Sequence, residues 1–227
     1  MSNLKLSIHG EKLIKLYEQM VIEGFQRTDG IKIAAEDAYN SFQLKIFRHV
    51  CKEQFINNKI YTVLDYGGGG SDWNAPNFES TNGKSAKQFF EVKEVTTFEP
   101  ARNLMVKKKS DCVVCTDVLE HIFLADVANI VHDLFSLTKK LLVVNVACYK
   151  AAALLPNGEN AHITVRSPDW WKGVFDTISV HFPLVKVFLI CSTQINEGVI
   201  YKTFNSKDWN SSENFSTENE AEAFGVS

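Results

Sequence analysis

Four consecutive glycines, residues 67–70, directly follow the mostly apolar run "IYTVLDY" at residues 60–66. Such a run is typical of a strand that is covered on both faces of a parallel sheet. Ligands of these sheets bind at the carboxyl ends of the strands. Glycine allows unusual backbone turns and lets a ligand approach without a Cβ in the way. The sequence therefore predicts an α/β fold in which residues 67–70 form a ligand-binding loop.

Short apolar runs alternate with helical patterns from residue 59 onward. The predicted strands are "IYTVLDY", "EVTTFEP", "DCVVCTD", "LLVVNVA", "LVKVFLICS" and "GVIYKTF". The predicted helices between them are "KSAKQFFEVK", "DVANIVHDLFSLTKK" and "SPDWWKGVFDTI". This alternation predicts a Rossmann-like, doubly wound α/β fold with a mostly parallel sheet.

The chain divides into three regions by pattern. Residues 1–57 contain two amphipathic helical patterns, "EKLIKLYEQMVIEGF" and "SFQLKIFRHVCKEQFI", and we interpret them as an N-terminal helical cap. Residues 58–205 form the predicted ligand-binding domain. Residues 206–227 are polar and acidic, which favours a disordered tail.

Composition excludes several classes of function. The net charge of -3 lacks the basic surplus of nucleic-acid binders, and the run at residues 107–109 is interpreted as a solvated loop. No stretch approaches the roughly 18 apolar residues that span a bilayer, and the N-terminus lacks a signal core. We therefore expect a cytoplasmic protein with a small-molecule substrate and neither a membrane nor a nucleic-acid partner.

Two of the five cysteines, Cys112 and Cys115, are spaced as C-x-x-C. They lie within a predicted strand, where positions three apart point to opposite faces. Buried thiols are therefore expected rather than a redox pair or a zinc site.

Two common glycine-loop motifs do not fit. A phosphate loop ending at the "GKS" of residues 83–85 would need a glycine where Phe78 stands. A dinucleotide fingerprint would need its third glycine at Asp72 or Trp73. The pattern that remains is an acid, Asp65, followed by glycines at alternate positions.

"VLDYGGGGS" resembles the first motif of class I S-adenosylmethionine-dependent methyltransferases. "VTTFEPA" and "DCVVCTDVLEHI" follow in the family's order, and "DVLEH" resembles the fourth motif of its small-molecule members. The resemblance covers about residues 60–138 and implies S-adenosylmethionine as cofactor. It also implies methyl transfer to a small-molecule, sugar or nucleotide-like acceptor, with Glu99 binding the ribose hydroxyls. The implied cofactor-binding residues are Asp65, Gly67, Gly68, Gly69, Glu99 and Asp117.

The motif spacing departs from the family in two places. Asp65 and Glu99 are 99 − 65 = 34 positions apart, against the roughly 20 typical of an acidic ribose ligand. Only 111 − 99 = 12 positions then separate Glu99 from Asp111. That segment is too short for the usual helix, strand and helix. We therefore expect the family's third strand, with its adenine-contacting acid, to be missing.

The candidate catalytic residues are His121, His162 and Glu120. Histidine suits a general base because its ordinary pKa lies near neutrality. The pattern D-x-x-E-H with a later histidine is similar to the metal-binding pattern of small-RNA 2′-O-methyltransferases and of some ubiquinone-pathway O-methyltransferases. "VLEH" is also common in members without a metal, so no metal is expected here. The set that would hold a divalent ion is Asp117, Glu120, His121 and His162.

The stretch "HITVRSPDWW" leaves two interpretations open. Trp170 and Trp171 are either core anchors, or one of them forms a substrate-binding wall with His162 and Arg166, whose guanidinium grips a carboxylate or phosphate. Two alternative functions also stay open. One is a catalytically silent methyltransferase-fold protein that binds or regulates, and the other is an RNA 2′-O-methyltransferase with a divalent metal.

Overall fold

The computed structural model describes residues 5–79, 82–195, 198–205 and 212–216, and side chains up to residue 193. The helices are α1 Ile8–Glu23, α2 Arg48–Asn57, α3 Ala86–Phe89, α4 Val127–Leu137 and α5 Pro168–Ser179. A short antiparallel pair consists of β1 Phe25–Gln26 and β2 Lys32–Ile33. The main sheet contains β3 Thr62–Tyr66, β4 Glu94–Phe98, β5 Ser110–Thr116, β6 Thr138–Ala147, β7 Lys186–Ile195, β8 Gly198–Asn205 and β9 Ser212–Ser216.

The main sheet has the order β4-β3-β5-β6-β7-β8-β9. The first five strands are parallel, and β8 and β9 are antiparallel additions. The chain leaves β3 for the edge strand β4 and then crosses back to β5. The order of the strands thus reverses between β3 and β5, the position where ligands of such sheets bind. The mostly parallel α/β fold predicted from the sequence is confirmed.

Helices cover the sheet on both faces. Helices α4 and α5 pack on one face, and α2 and α3 pack on the other. Cys115 lies in the first core and Cys112 in the second, and both are buried. The prediction of two buried thiols on opposite faces is confirmed.

The connection from β4 to β5 contains no α-helix. A single 3-10 turn, Pro100–Arg102, is followed by residues 103–109 without helix or strand. Within the described part of the sheet, no strand lies beyond β4, which agrees with the short spacing after Glu99. Without a crossover helix, the α4 face of β3 and β4 borders a cavity.

The N-terminal region does not pack as one cap. Helix α1 begins after its N-cap Ser7 and packs with Leu155 and Ala161. Helix α2 instead packs on the sheet through Cys51 and Phe55. Amphipathic periodicity predicts that each helix is buried on one face, but it does not say against what. Of the region expected to form a cap, α1 borders the cavity, whereas α2 is one of the helices that cover the main sheet.

The C-terminal region that was expected to be disordered is described in one segment. Ser212–Ser216 form β9, which pairs antiparallel with β8. Residues 206–211 and 217–227 lie outside the described residues. None of the described helices combines the length and the apolar character needed to cross a membrane.

Candidate functional site

A cavity of about 760 Å³ opens at the carboxyl edge of the parallel strands. This volume is in the usual range for small-molecule sites. The walls come from α1, the glycine loop, the segments after β4 and β5, and α4. Five of the residues that the sequence nominates line this cavity: Gly67, Gly69, Glu99, Asp117 and His121.

The glycine loop is built from positions that no other residue fits. Gly67 and Gly69 have φ angles of 74° and 54°, in the left-handed region. A Cβ at Gly67 would lie 2.5 Å from Cγ2 of Val118, and one at Gly69 would lie 2.8 Å from the carbonyl oxygen of Tyr39. Close packing and backbone conformation therefore both require glycine. The result is a bare main-chain wall at the start of the cavity.

Asp65 lies beneath this loop and not in the cavity wall. Its Oδ2 accepts hydrogen bonds from Ser71 Oγ at 2.9 Å and from Trp73 Nε1 at 2.8 Å. Burial raises the pKa of its carboxyl to about 6. A Cβ at Gly68 would lie 2.4 Å from Asp65 Oδ2. Asp65 thus holds the shape of the loop, which differs from the direct ligand contact expected from the motif.

Glu99 follows β4 and lines the cavity. Its Oε2 accepts from the Gly69 amide at 2.9 Å and its Oε1 from the Ala101 amide at 3.0 Å. Burial raises the pKa of Glu99 despite these bonds. A carboxylate offers about four acceptor positions, so two remain for ligand hydroxyls. The acid is therefore fixed in place by the glycine loop before any ligand binds.

Asp117, His121 and His162 converge at the end of β5. Asp117 has a φ of 59°, and its amide donates to the Asn145 carbonyl of β6 at 3.2 Å. Oδ1 of Asp117 lies 4.0 Å from Nε2 of His162, and the two imidazole centroids are 4.8 Å apart. One ligand atom from each of the three residues lies within 4.8 Å of the others. The two histidines, 162 − 121 = 41 positions apart, meet as the parallel topology predicts.

Backbone carbonyls fix the orientation of both imidazoles. Nδ1 of His162 lies 2.6 Å from the Tyr149 carbonyl oxygen, and Nδ1 of His121 lies 3.0 Å from that of Ala161. A carbonyl only accepts, so Nδ1 of His162 carries a proton and the neutral ring keeps its lone pair on Nε2. Nδ1 of His121 also lies 3.0 Å from the Tyr17 hydroxyl, which can donate or accept. Burial lowers the pKa of His121 to about 4, so this ring is neutral near pH 7. Metal-binding histidines are commonly oriented in this way.

Glu120 is fully buried behind the cluster. Its Oε1 accepts from the Ala147 amide at 2.5 Å, and its Oε2 has no hydrogen-bond partner in the described part of the chain. Burial, and then the neighbouring Asp117, raise the pKa of Glu120 well above its ordinary value. Glu120 is not among the residues that line the cavity. Its position supports β6, and it is not part of the group formed by Asp117, His121 and His162.

Tyr17 of α1 is a site residue that the amphipathic pattern of this helix did not identify. Its hydroxyl donates to the Ala161 carbonyl at 2.7 Å and lies 3.0 Å from His121 Nδ1. Tyr39 packs edge-on to His121, with ring centroids 6.4 Å apart. The only signal in the sequence was a hydroxyl-bearing ring on an otherwise aliphatic stripe, which does not identify its partner.

The residues proposed as a substrate wall are not brought to the cavity. Trp171 is fully buried in the core against α4 and the sheet. Arg166 is exposed, donates to its neighbour's carbonyl and lies 5.7 Å from the ring of Trp170. None of the three lines the cavity. The structure favours the interpretation of the tryptophans as core anchors.

The cavity has a glycine loop, the fixed carboxylate of Glu99, Asp117 and the imidazole of His121 around one space, with His162 next to His121. Such an arrangement can bind a polar cofactor and either accept a proton or hold a divalent cation beside it. No family model, curated protein or solved structure matches this chain.

Proposed function

We propose that this protein is a methyltransferase that transfers the methyl group of S-adenosylmethionine to a small-molecule acceptor. The observation that carries the proposal is the single cavity lined by Gly67, Gly69, Glu99, Asp117 and His121. These residues belong to the three motifs that resemble the family. Methyl transfer requires the acceptor to approach the sulfonium in line, so catalysis depends largely on positioning two ligands in one closed space.

The residues of the cavity fit the cofactor's groups. Gly67 and Gly69 bring main chain to the cavity wall, where their amides hold the loop against the Phe98 carbonyl and the Glu99 carboxylate. Glu99 keeps two acceptor positions for the ribose hydroxyls beyond its bonds to Gly69 and Ala101. Asp117 lies at the same edge with a charge opposite to that of the ammonium and the sulfonium. In this proposal Asp65 acts only through the shape of the loop.

The cluster of Asp117, His121 and His162 favours a metal-assisted version of the reaction. Two imidazole nitrogens and a carboxylate oxygen form a donor set that suits divalent transition metals. This differs from the expectation of no metal drawn from the sequence. A divalent ion held there would lower the pKa of an acceptor hydroxyl at neutral pH.

Methyl transfer from labelled S-adenosylmethionine to a pool of small hydroxylated metabolites tests the proposal. We expect label in a small molecule, loss of transfer after dialysis against a chelator, and recovery when a divalent ion is restored. Transfer that persists in chelator would support His121 or His162 as a general base instead. Label found only in RNA would favour the RNA alternative. Cofactor binding with no transfer to any pool would favour the silent binding protein.

Metal content provides an independent measurement. We expect the purified chain, loaded with a divalent ion and desalted, to retain about one ion per chain by mass spectrometry. His162→Ala should retain almost none, because it removes one of three ligand atoms. His181→Ala, which removes an exposed histidine after α5, is the matched control and should keep the ion. Equal metal content in all three proteins would contradict a metal site at this cluster.

A further inference from the structure

A second polar cluster, formed by Tyr66, Lys107 and Asp133, lies in another part of the same cavity. Oδ2 of Asp133 accepts from the Tyr66 hydroxyl at 3.0 Å and from Lys107 Nζ at 2.5 Å. The side chains of Asp133 and Lys107 are only 7% and 22% exposed. Lys107 therefore does not belong to a solvated loop, as the sequence suggested. A buried ion pair in a cavity wall is costly unless its remaining polar positions are satisfied.

The cluster exists because β4 and β5 are joined without a helix. Tyr66 and Phe98 are register partners on β3 and β4, and their ring centroids are 4.7 Å apart. Both rings point to the α4 face, where they border the cavity. Lys107 Nζ lies 4.4 Å from the Phe98 ring centroid. The cavity thus has an aromatic floor with a carboxylate and an ammonium beside it.

Hydrogen-bonding capacity remains on both charged groups. Oδ1 of Asp133 accepts no hydrogen bond from any described residue, whereas its Oδ2 accepts two. Lys107 Nζ has three donor positions and uses two, on Asp133 and on the Tyr66 hydroxyl, the latter at 3.3 Å. One acceptor and one donor are therefore free next to each other. Their complement is a flat ring edge that carries a donor beside an acceptor.

We propose that this cluster binds an amino-purine ring, with the exocyclic amine donating to Asp133 Oδ1 and the adjacent ring nitrogen accepting from Lys107. Adenine presents this donor and acceptor on its Watson–Crick edge, and aromatic side chains commonly flank such a base. Tyr66 directly precedes Gly67, and Phe98 directly precedes Glu99. The purine therefore lies against the last residues of β3 and β4. The glycine loop follows directly on β3, and the ribose-binding acid Glu99 follows directly on β4. This inference rests on the proposed function, because the purine is then that of S-adenosylmethionine.

Calorimetry on the full chain with S-adenosylhomocysteine and its 6-oxo counterpart, S-inosylhomocysteine, tests the inference. The 6-oxo ring exchanges the two hydrogen-bonding roles, because its O6 accepts where the amine donates and its N1 carries a hydrogen where the amino ring accepts. We expect wild type to prefer the amino ring by roughly 10- to 100-fold, the scale of a two-bond base contact. Asp133→Asn should reduce this preference severalfold or more, because an amide can also donate to O6. Asp176→Asn, which breaks a similar lysine pair on α5 outside the cavity, should leave it unchanged.

Lys107→Met provides a second variant if Asp133→Asn does not fold, as judged by circular dichroism. Methionine keeps an apolar stem over Phe98 and removes the donor that clashes with the N1 hydrogen of the 6-oxo ring. The ratio of the affinities for the amino and the 6-oxo ligand should again decrease. Equal binding of both ligands by wild type, or a preference that survives these substitutions, would overturn the inference and leave the proposed function intact. Failure of wild type to bind S-adenosylhomocysteine would overturn both.

Discussion

Asp65 is a buried carboxylate whose hydrogen bonds hold the shape of the glycine loop. The motif located it at the end of a strand before the glycines, but pattern alone could not give the direction of its side chain. The structure turns the carboxylate toward Ser71 and Trp73, which follow the glycine loop. Ser71 thereby supplies a hydrogen bond that a glycine at this position could not.

Asp65→Asn should change the pH dependence of stability. The pKa of about 6 in the folded protein lies above the ordinary value of 3.8 for an aspartate. The folded state therefore holds the proton more tightly, and stability from this group is lost as the pH rises from about 4 through 6. Asparagine resembles the protonated form and can accept both hydrogen bonds. We expect the variant to gain roughly 1–3 kcal/mol over wild type at pH 8 and little at pH 4.

Urea unfolding of both proteins at pH 4, 6 and 8 measures this difference. A variant that is less stable than wild type at pH 8 would show that the carboxylate charge stabilises the folded loop. Cofactor binding should be retained, because Asp65 does not line the cavity. Loss of binding in a folded variant would restore the direct role that the motif suggested.

Helix α1 is fixed over the cavity by contacts that leave no room for a side chain at Gly10. The backbone and hydroxyl of Ser7 each donate to the buried carboxylate of Asp126 at 2.7 Å. A Cβ at Gly10 would lie 2.2 Å from Asp126 Oδ2. Further along, the Tyr17 hydroxyl reaches Ala161 and His121. The helix is thus attached near both the rim of the cavity and the histidine cluster.

Gly10→Ala should destabilise the protein although alanine favours helices. A glycine-to-alanine change inside a helix ordinarily stabilises by about 0.5–1 kcal/mol. Gly173 in α5 is the matched control, because a Cβ there meets no atom within 4 Å. Thermal unfolding should show a higher midpoint for Gly173→Ala and a lower one for Gly10→Ala. Stabilisation by both substitutions would mean that α1 is not fixed at Asp126.

At the scale of the whole molecule, the sequence predicted what depends on periodicity and topology. The strands, the parallel sheet and the meeting of His121 with His162 all follow from strand ends that share one edge. The packing partner of an amphipathic helix is a tertiary property, so the separation of α1 from α2 was not predictable. The hydrogen-bond partners of Tyr17 and Lys107 were not predictable for the same reason. Asp133, the partner of Lys107, lies 26 positions away in the sequence.

Binding of S-adenosylmethionine to the full chain tests the central claim most directly. Isothermal titration calorimetry should show one site in wild type. Glu99→Gln should weaken the binding of S-adenosylmethionine by roughly 1–3 kcal/mol, because an amide nitrogen cannot accept from a ribose hydroxyl or from the Gly69 amide. Glu94→Gln removes a carboxylate on the same strand that is half exposed and paired with Lys108, and it should bind like wild type. No binding by wild type, or equal binding by both variants, would contradict the account.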